Sequence, residues 1–295
     1  MKKSMIVCIL VLCLLFSTVS VFAVEIPSVE VIYEETQTFS EYDYIKNIQA
    51  KTDEELLDIG YREEDIIEIR KIDLEKYAEE LMASTPDMLR DQGYSNEVID
   101  AIQQATTFEE VISETMGKVT YSVTAESLTY SNNITKLRAR LTWNWASKPV
   151  VTLTDVVALT TNKDFYRDDS SSYNLTTVYY YKNGNLNNTP AEYEWVDQDT
   201  EEAGTLIYSE IPMRVVYPSS TSNTGDIYYA MRGTMEVQMK DSGPIYTTNV
   251  AGNYGHMIIS CTPSVELDST DKMVISFLPK LYMEKGDEAT DSIDL

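Results

Sequence analysis

The segment KLRARLTWNW, residues 136–145, decides the fold because two kinds of side chain alternate along it without a break. One set of alternate positions is apolar: Leu137, Ala139, Leu141, Trp143 and Trp145. The positions between them are cationic or polar. A period of two is that of a β-strand, whose successive side chains point to opposite faces of a sheet. We therefore predict a strand whose apolar face, with both tryptophans, lies in a hydrophobic core.

The same pattern continues on both sides of this segment. Residues 119–283 are rich in Tyr, Thr, Ser and Asn, and turn sequences such as NGN at 183–185 and DSG at 241–243 separate the alternating stretches. Many short strands without helices between them are typical of an antiparallel sandwich or barrel. We predict an α+β chain by segments: an acidic helical N-terminal region followed by an all-β antiparallel sandwich at 119–283.

An internal repeat precedes the predicted strands. The segments DEELLDIGYREEDIIEIR (53–70) and PDMLRDQGYSNEVIDAIQ (86–103) align without a gap. In each copy a capping threonine, Thr52 or Thr85, precedes a short helix, a glycine ends that helix, and a second helix follows. We predict two related helix pairs within a helical region at 51–118.

Two further segments complete the predicted organisation. Residues 24–50 contain no repeat of this kind and are predicted as an extended lead-in. Residues 284–295 are acidic and polar, and we predict that they form a disordered tail.

The chain begins MKKSMIVCILVLCLLFSTVSVFA, where two lysines precede an apolar run and small residues follow it. This is the pattern of a secretory signal peptide at 1–23, and we predict cleavage after Ala23. The protein is then secreted into the extracellular space without a membrane anchor. Cys8 and Cys13 leave with the signal peptide, so the mature chain keeps Cys261 alone and has no internal disulfide. Disulfide-free secretion at this size favours a Gram-positive bacterium as the source.

The charge of the chain disfavours two classes of partner. It has 48 acidic and 23 basic residues and a net charge of −25. A surface of this sign repels the phosphates of nucleic acids. It also opposes adsorption to anionic membranes.

The inventory of reactive side chains favours a non-catalytic protein and leaves enzymatic function undecided. A zinc site needs three or four ligands, usually mainly His or Cys, and the mature chain has only His256 and Cys261. These two lie five positions apart on a predicted strand, hence on opposite faces, and we predict His256 to be a hydrogen-bonded strand residue. A carboxylate pair for glycoside hydrolysis is defined by separation in space, so sequence does not test it.

Calcium is the cofactor that the composition still allows, because it takes oxygen ligands. The best local candidate is DQDTEE, in which Asp197, Asp199 and Glu201 alternate. The glycine and the distal glutamate of an EF-hand loop are missing from it. We favour solvated loop acids here, with a calcium site as the alternative, and predict no other cofactor.

The strongest candidate for ligand binding is an aromatic run beside an Asn-rich turn. The segment TTVYYYKNGNLNNTPAEYEW (176–195) contains Tyr179, Tyr180, Tyr181 and Trp195. Aromatic rings next to amides suit carbohydrate or protein recognition, because a ring gives a large contact area at a small cost in entropy. The alternative is a strand buried on both faces, and it is the simpler explanation.

The cations of the opening segment form a second candidate site. Lys136, Arg138 and Arg140 share the outward face of their strand. In so acidic a chain they are expected to meet Asp or Glu on a neighbouring strand, or to dock the helical region. We prefer the second arrangement and predict an electrostatic seam between the helical region and this strand.

Two segments resemble a group of secreted proteins. WNWASKPVVTLTDVVAL (143–159) has the Trp-Asn-Trp pair, the proline and the Leu-Thr-Asp of secreted proteins of Gram-positive bacteria for which no activity is known. YGHMIISCTPSVEL (254–267) is similar to their closing segments. The resemblance implies an extracellular compartment and no particular fold, activity or site.

Together these observations favour a secreted, non-catalytic protein that binds a glycan or another protein in the medium or at the cell surface. A secreted carboxylate-based hydrolase is the first alternative. A membrane-active, toxin-like protein is the second.

Overall fold

A computed structural model describes the chain over residues 35–59, 61–152, 154–162, 164–186, 190, 192–201, 205–218, 225–256, 262–267, 273–278 and 289–294. The predicted signal peptide and Cys261 lie outside these residues. Where it is described, the chain is mainly antiparallel β-sheet, with helices in its N-terminal part.

The described helices all lie between the first two strands. They are α1 (Glu41–Ala50), α2 (Asp53–Asp58), α3 (Glu63–Lys71), α4 (Leu74–Met82), α5 (Pro86–Asp91), α6 (Asn96–Gln104) and α7 (Phe108–Thr115). The described strands are β1 (Glu35–Ser40), β2 (Lys118–Ser131), β3 (Ile134–Trp145), β4 (Thr154–Thr161), β5 (Tyr166–Arg167), β6 (Leu175–Lys182), β7 (Glu192–Val196), β8 (Asp199–Glu201), β9 (Leu206–Pro212), β10 (Arg214–Tyr217), β11 (Asp226–Ser242), β12 (Thr247–Gly255), β13 (Thr262–Leu267), β14 (Met273–Leu278) and β15 (Ala289–Asp294).

Most of the strands belong to two sheets. The first sheet has the order β1-β2-β3-β11-β6-β7, with β5 and β10 also paired to β11. The second sheet has the order β15-β12-β4-β9-β8, and β13 and β14 form a separate pair. Because strands distant in sequence are neighbours, residues from widely separated segments meet across both sheets.

The opening segment lies in β3, at the centre of the first sheet. The predicted alternation is confirmed, because Leu137, Ala139, Leu141, Trp143 and Trp145 are buried while the intervening side chains are more exposed. These residues share one hydrophobic core with Val157 and Leu159 of β4, on the second sheet. The two sheets therefore bury apolar faces against each other.

Two glycines make room for the two tryptophans. Gly233 on β11 is the cross-strand partner of Trp143, and a Cβ placed on Gly233 would lie 2.0 Å from Trp143 Cζ2. A Cβ on Gly117, just before β2, would lie 2.6 Å from Trp145 Cζ3. Each indole ring thus occupies the volume that a side chain would take at the glycine.

Strand β4 of the second sheet is buried on both faces. Val156 and Ala158 of β4 point away from the first sheet and pack in a second core with helical residues such as Ile45 and Ile48 of α1. The adjacent residues of β4 pack in the first core. The order of layers is therefore first sheet, second sheet, helices, and α1 lies against the outer side of the second sheet.

The helices form two related units of three helices each. Thr52 and Thr85 cap α2 and α5 as predicted, and both Thr52 and Thr107 also form capping boxes, with Glu55 and Glu110. The hydroxyl of Tyr44 is 2.9 Å from that of Tyr61, and the hydroxyl of Tyr77 is 2.8 Å from that of Tyr94. Both pairs are 17 residues apart in sequence, so α1-α2-α3 corresponds to α4-α5-α6.

Two segment predictions differ from the structure. The extended lead-in is predicted to include residues 41–50, but these residues form α1. They correspond to α4 of the second unit and are therefore the first helix of the first unit. Residues 289–294, predicted as part of a disordered tail, form β15, which pairs with β12 through backbone hydrogen bonds that composition does not reveal.

Candidate functional site

Strand β6 separates the three tyrosines of the aromatic run. Tyr180 points into the core, is fully buried and donates its hydroxyl to the carbonyl oxygen of Pro212 at 2.9 Å. Burial, and then the charge of Glu194, raises the pKa of Tyr180 above its ordinary value. Tyr179 points to solvent, with 36% of its surface exposed. Of the predicted ligand-binding residues, Tyr180 therefore belongs to the core.

Tyr181 has the parity of Tyr179 but is nearly covered, with 4% of its surface exposed. The register between β6 and β11 shifts between Ala230 and Arg232, and the guanidinium of Arg232 lies 5.8 Å from the centroid of the Tyr181 ring. The Tyr181 side chain also belongs to the hydrophobic core that the two sheets share. Tyr181 is therefore not available to a ligand in the way the sequence predicted.

Trp195 lies on the solvent face beside Tyr179. Its cross-strand partner is Thr177, two residues before Tyr179 on the same face of β6. Diagonal neighbours of this kind are ~7 Å apart and within reach of aromatic side chains. Trp195 has 69% of its surface exposed. The structure thus brings two of the four predicted binding residues, Tyr179 and Trp195, onto one open face.

A row of uncharged hydroxyl side chains continues from Trp195 across the first sheet. Thr177 on β6 pairs with Thr234 on β11, and Thr234 pairs with Thr142 on β3. All three are partly exposed. We call Thr177, Thr234 and Thr142 the threonine row. At ~4.8 Å between strands, the distance from Trp195 to Thr142 is about 14 Å.

A second row runs parallel to the threonine row and begins at Tyr179. Its cross-strand partner on β11 is Arg232, and Arg232 is paired in turn with Asn144 on β3. The Arg232 Nε donates to Asn144 Oδ1 at 2.6 Å. The face that holds Tyr179 and Trp195 therefore continues into polar groups over two further strands, β11 and β3.

The predicted seam through Lys136, Arg138 and Arg140 requires correction. Arg140 Nη2 lies 2.7 Å from Glu126 Oε1 on β2 and 2.8 Å from Glu236 Oε1 on β11. Neighbouring strands hold these acids within direct reach of the cation. The described partners of the stripe thus lie in the first sheet and its loops, and not on the helices.

Of the other two cations, Lys136 reaches a buried carboxylate and Arg138 reaches an amide. Asp168, in the loop between β5 and β6, is 1% exposed and accepts from Lys240 Nζ at 2.8 Å and from Ser170 Oγ at 2.6 Å. Lys136 Nζ lies 3.2 Å from the other carboxylate oxygen. These bonds, that of Lys240 first, hold the pKa of Asp168 well below its usual range. Arg138 donates to Gln238 Oε1 on β11 at 3.2 Å.

The acids proposed for calcium are exposed where they are described. Asp197 and Asp199 lie at the surface around the start of β8. The side chain of Glu201 is outside the described part of the chain. Over the residues that can be inspected, no group of three or more His, Cys, Asp or Glu side chains is arranged to hold a metal ion.

A buried cluster of charged groups joins the helices to the sheets. His256 follows β12 and is 2% exposed. Its Nδ1 is 2.9 Å from Asp155 Oδ1 on β4, and its Nε2 is 3.3 Å from Glu41 Oε1 on α1. Both carboxylates are fully buried. We call Glu41, Asp155 and His256 the histidine cluster.

Backbone and aromatic groups satisfy the remaining acceptors of the histidine cluster. The backbone N–H groups of Val150 and Val151 donate to Glu41 at 2.8 and 2.6 Å. The Tyr254 hydroxyl donates to Asp155 Oδ2 at 2.5 Å and accepts from Trp145 Nε1 at 2.9 Å. Buried charges that are paired and hydrogen-bonded in this way are tolerated in a protein interior.

Burial and the two carboxylates act in opposite directions on the histidine. Burial lowers the pKa of His256, but the charge and hydrogen bond of Asp155, followed by those of Glu41, raise it to about 10. The imidazole is therefore protonated at neutral pH. Glu41 and Asp155 both contact the protonated imidazole, and both are shielded from solvent. This pair of carboxylates therefore does not form an open site for glycoside hydrolysis.

Sequence reasoning predicted a hydrogen-bonded His256 but missed its partners. Trp145 ends the Trp-Asn-Trp pair, Asp155 ends the Leu-Thr-Asp, and Tyr254 begins the second segment of the resemblance. The structure brings these three residues of the two segments together at one point. The sequence did not single out the remaining partner, Glu41. The residue that corresponds to it in the second helical unit, at the start of α4, is Leu74, so the repeat does not mark this position.

The fold and these sites define a mainly antiparallel β protein with N-terminal helices, a solvent-facing aromatic face and a buried charge cluster. No family model matches the chain, and no curated protein does so either. The chain is similar to the KRT10-binding region domain of the pneumococcal serine rich repeat protein PsrP, with 10% identity and a TM-score of 0.24 over 47% of this chain and 78% of that chain. It is also similar to Clostridium perfringens delta-toxin, with 10% identity and a TM-score of 0.20 over 60% of this chain and 83% of that chain. Likeness at these scores carries no argument about function.

Within the described residues, none of the helices has the length and apolar character needed to span a bilayer.

Proposed function

We propose that this chain is a secreted, non-catalytic protein that binds carbohydrate on the open face of the first sheet. The observation that carries this proposal is the exposure of Trp195, 69% of whose surface faces solvent, beside the partly exposed Tyr179. A single exposed aromatic residue is ordinary, but two on one face form a patch of the kind that marks interaction sites. The pair offers ring faces on which the C–H groups of a sugar can stack.

The threonine row supports carbohydrate over a charged ligand. Thr177, Thr234 and Thr142 present hydroxyl groups, which both donate and accept hydrogen bonds, as sugar hydroxyls do. The nearest cation on the face, Arg232, already donates to Asn144. A neutral sugar chain lying across the strands would meet aromatic rings first and hydroxyl groups after them.

Two features of the chain support this location of the site. The apolar residues of both sheets share one core, which supports an antiparallel sandwich whose outer face is left to the ligand. The signal sequence at 1–23 supports secretion, where glycans and surface proteins are the available partners. Solvated loop acids at Asp197, Asp199 and Glu201 remain the prediction, with a calcium site as the alternative, and the same experiment tests it.

Co-sedimentation with insoluble neutral polysaccharides and with Gram-positive cells tests the proposal. We expect the protein to be retained and Trp195→Ala to weaken retention at least tenfold, which corresponds to ~1.4 kcal/mol. Tyr179→Ala should have a similar effect. Tyr246→Ala is the matched control, because Tyr246 is also 69% exposed but lies between β11 and β12, outside the two rows.

Three results would count against parts of the proposal. Retention that survives Trp195→Ala would remove the aromatic face as the site. Absence of retention on every polysaccharide, with retention on protein-bearing cells, would replace carbohydrate with a protein ligand. Retention unchanged by a calcium chelator would leave no role for the acids near β8.

A further inference from the structure

The histidine cluster connects parts of the chain that are far apart in sequence. Glu41 opens α1, Asp155 lies on β4 and His256 follows β12, and the side chains of all three have no exposed surface. Glu41 and His256 are separated by 215 positions. Their contact is therefore a direct charged link between the helices and the sheets.

The cluster is enclosed by described groups from several elements. Those that face the imidazole are Glu41 on α1, Asp155 on β4, the Trp145 ring on β3 at 4.8 Å, the Phe39 ring on β1 at 5.9 Å, and Tyr254 on β12, which acts through Asp155. Burial raises the pKa of the Tyr254 hydroxyl well above its ordinary value, and the charge of Asp155 raises it further. Tyr254 thus stays a neutral donor.

The charge of Glu41 also acts on two further tyrosine hydroxyls, those of Tyr77 and Tyr94, which lie 2.8 Å apart. Burial raises the pKa of Tyr77 and of Tyr94, and the negative charge of Glu41 raises both further. Both tyrosines are therefore neutral and supply no positive charge. Among the described groups near the cluster, the imidazolium balances the negative charge of the two carboxylates.

Loss of the proton from the His256 imidazolium would remove this positive charge. A neutral imidazole has one N–H donor, so one of its two nitrogens would present a lone pair to a carboxylate. Two buried anions would then lack a compensating cation, which is strongly destabilising in a protein interior. The contact that would break at least cost is the longer one, between His256 Nε2 and Glu41 at 3.3 Å.

We propose that His256 is a proton-controlled latch, which in its protonated form holds α1 and the helices behind it against the second sheet and which releases them when the proton is lost. Release would uncover the apolar side of β4, where Val156 and Ala158 now pack against the helices. The latch acts between the second sheet and the helices, whereas the proposed carbohydrate site at Tyr179 and Trp195 lies on the open face of the first sheet.

The direction of the pH dependence follows from the pKa values. The pKa of His256 is about 10 in the folded chain against 6.5 for an ordinary histidine. A raised folded-state pKa gives a contribution to stability that is complete below pH 6.5 and is lost as the pH rises towards 10. The helices should therefore be docked at neutral pH and released under alkaline conditions.

Hydrogen exchange at pH 7, 8, 9 and 10, corrected for the intrinsic rate at each pH, tests the latch. We expect α1 to lose protection at least tenfold between pH 7 and pH 10 while the central strand β3 keeps its protection. In His256→Gln, which cannot carry the charge, α1 should be unprotected already at pH 7 and show no further change. Equal pH profiles for α1 in the protein and in this variant would overturn the proposal.

A second measurement works on the unmodified protein. The chain has one histidine, so its imidazole C–H resonance is unambiguous in an NMR titration. We expect this resonance to titrate above pH 8.5 and, in Glu41→Gln, to move to lower pH. A midpoint near 6.5 in the unmodified protein would overturn the proposal even if His256→Gln fails to fold.

Discussion

Asp168 is an acidic residue in a loop, yet it is almost completely buried, at 1% exposure. Lys240 and Lys136 approach its two oxygens from neighbouring strands, and Gln238 and Ser170 complete the set of donors. Hydrogen bonds to a charged group are stronger than neutral ones. This carboxylate therefore helps to fix the loop between β5 and β6 onto the first sheet, together with the hydrogen bond between Asn174 and Gln238.

Replacing Asp168 by asparagine should destabilise the fold. Asn keeps the shape but loses the negative charge that two lysines share, and we expect the free energy of unfolding in urea to fall by about 2 kcal/mol. Asp169→Asn is the matched control: the adjacent Asp169 is 77% exposed in its pair with Arg167, and exposed pairs contribute little. Equal effects of the two substitutions would show that Asp168 does not fix the loop.

Strand β3 shows how one element constrains its neighbours. Its inward tryptophans need glycines opposite them, Gly233 for Trp143 and Gly117 for Trp145. Strand interiors usually disfavour glycine, so a glycine in β11 indicates a close approach of another group. The packing of the core thus depends on pairs of residues drawn from different strands.

Gly233→Ala should overpack this core. Its new methyl group would meet the buried Trp143 ring, and we expect unfolding to become easier by about 2 kcal/mol in urea denaturation. Combining it with Trp143→Leu, which removes the ring, should give a double-mutant cycle with coupling well above the error of about 0.5 kcal/mol. Additive effects would mean that the Trp143 ring is not what excludes a side chain at position 233.

The helical elements could be only partly predicted. The caps at Thr52, Thr85 and Thr107 are local signals, because each threonine accepts from a backbone N–H three positions later. Helix α1 lacks the glycine that ends the shorter helices, and its relation to α4 becomes visible only through the tyrosine pair that each helix makes. The repeat is therefore one helix longer than its sequence signature.

At the scale of the whole molecule, the surface carries mainly negative charge. The chain has a net charge of −25, and most acids of the helices are exposed. Like charges spread over a folded surface repel one another, and salt screens this repulsion. The described ion pairs at the surface are few by comparison with the exposed acids.

Raising the salt concentration should therefore stabilise the protein. Between about 10 mM and about 300 mM sodium chloride the Debye length shortens severalfold, and we expect the thermal unfolding midpoint to rise by a few degrees. Differential scanning calorimetry in sodium and in potassium chloride measures this, and equal effects of the two salts identify screening. A falling midpoint would show that attractive surface pairs outweigh the repulsion.

The sequence by itself determined the features that depend on neighbours along the chain. The period of two in residues 136–145 predicted a strand with inward tryptophans, the threonine caps predicted helix starts, and NGN predicted a turn, where Asn183 and Gly184 do have positive φ. These signals are local, because strand parity, capping and turn conformation are set within a few residues.

Only the tertiary structure decided which surfaces and contacts these elements form. Tyr179 is exposed, whereas Tyr181 packs in the shared core with Arg232 near its ring, although the two have the same parity. Neighbouring strands and the β5–β6 loop, and not the helices, provided the described partners of the cations on β3. The link to the helices arose between Glu41 and His256, 215 positions apart. No local pattern encodes such a contact, because it depends on how separate layers pack together.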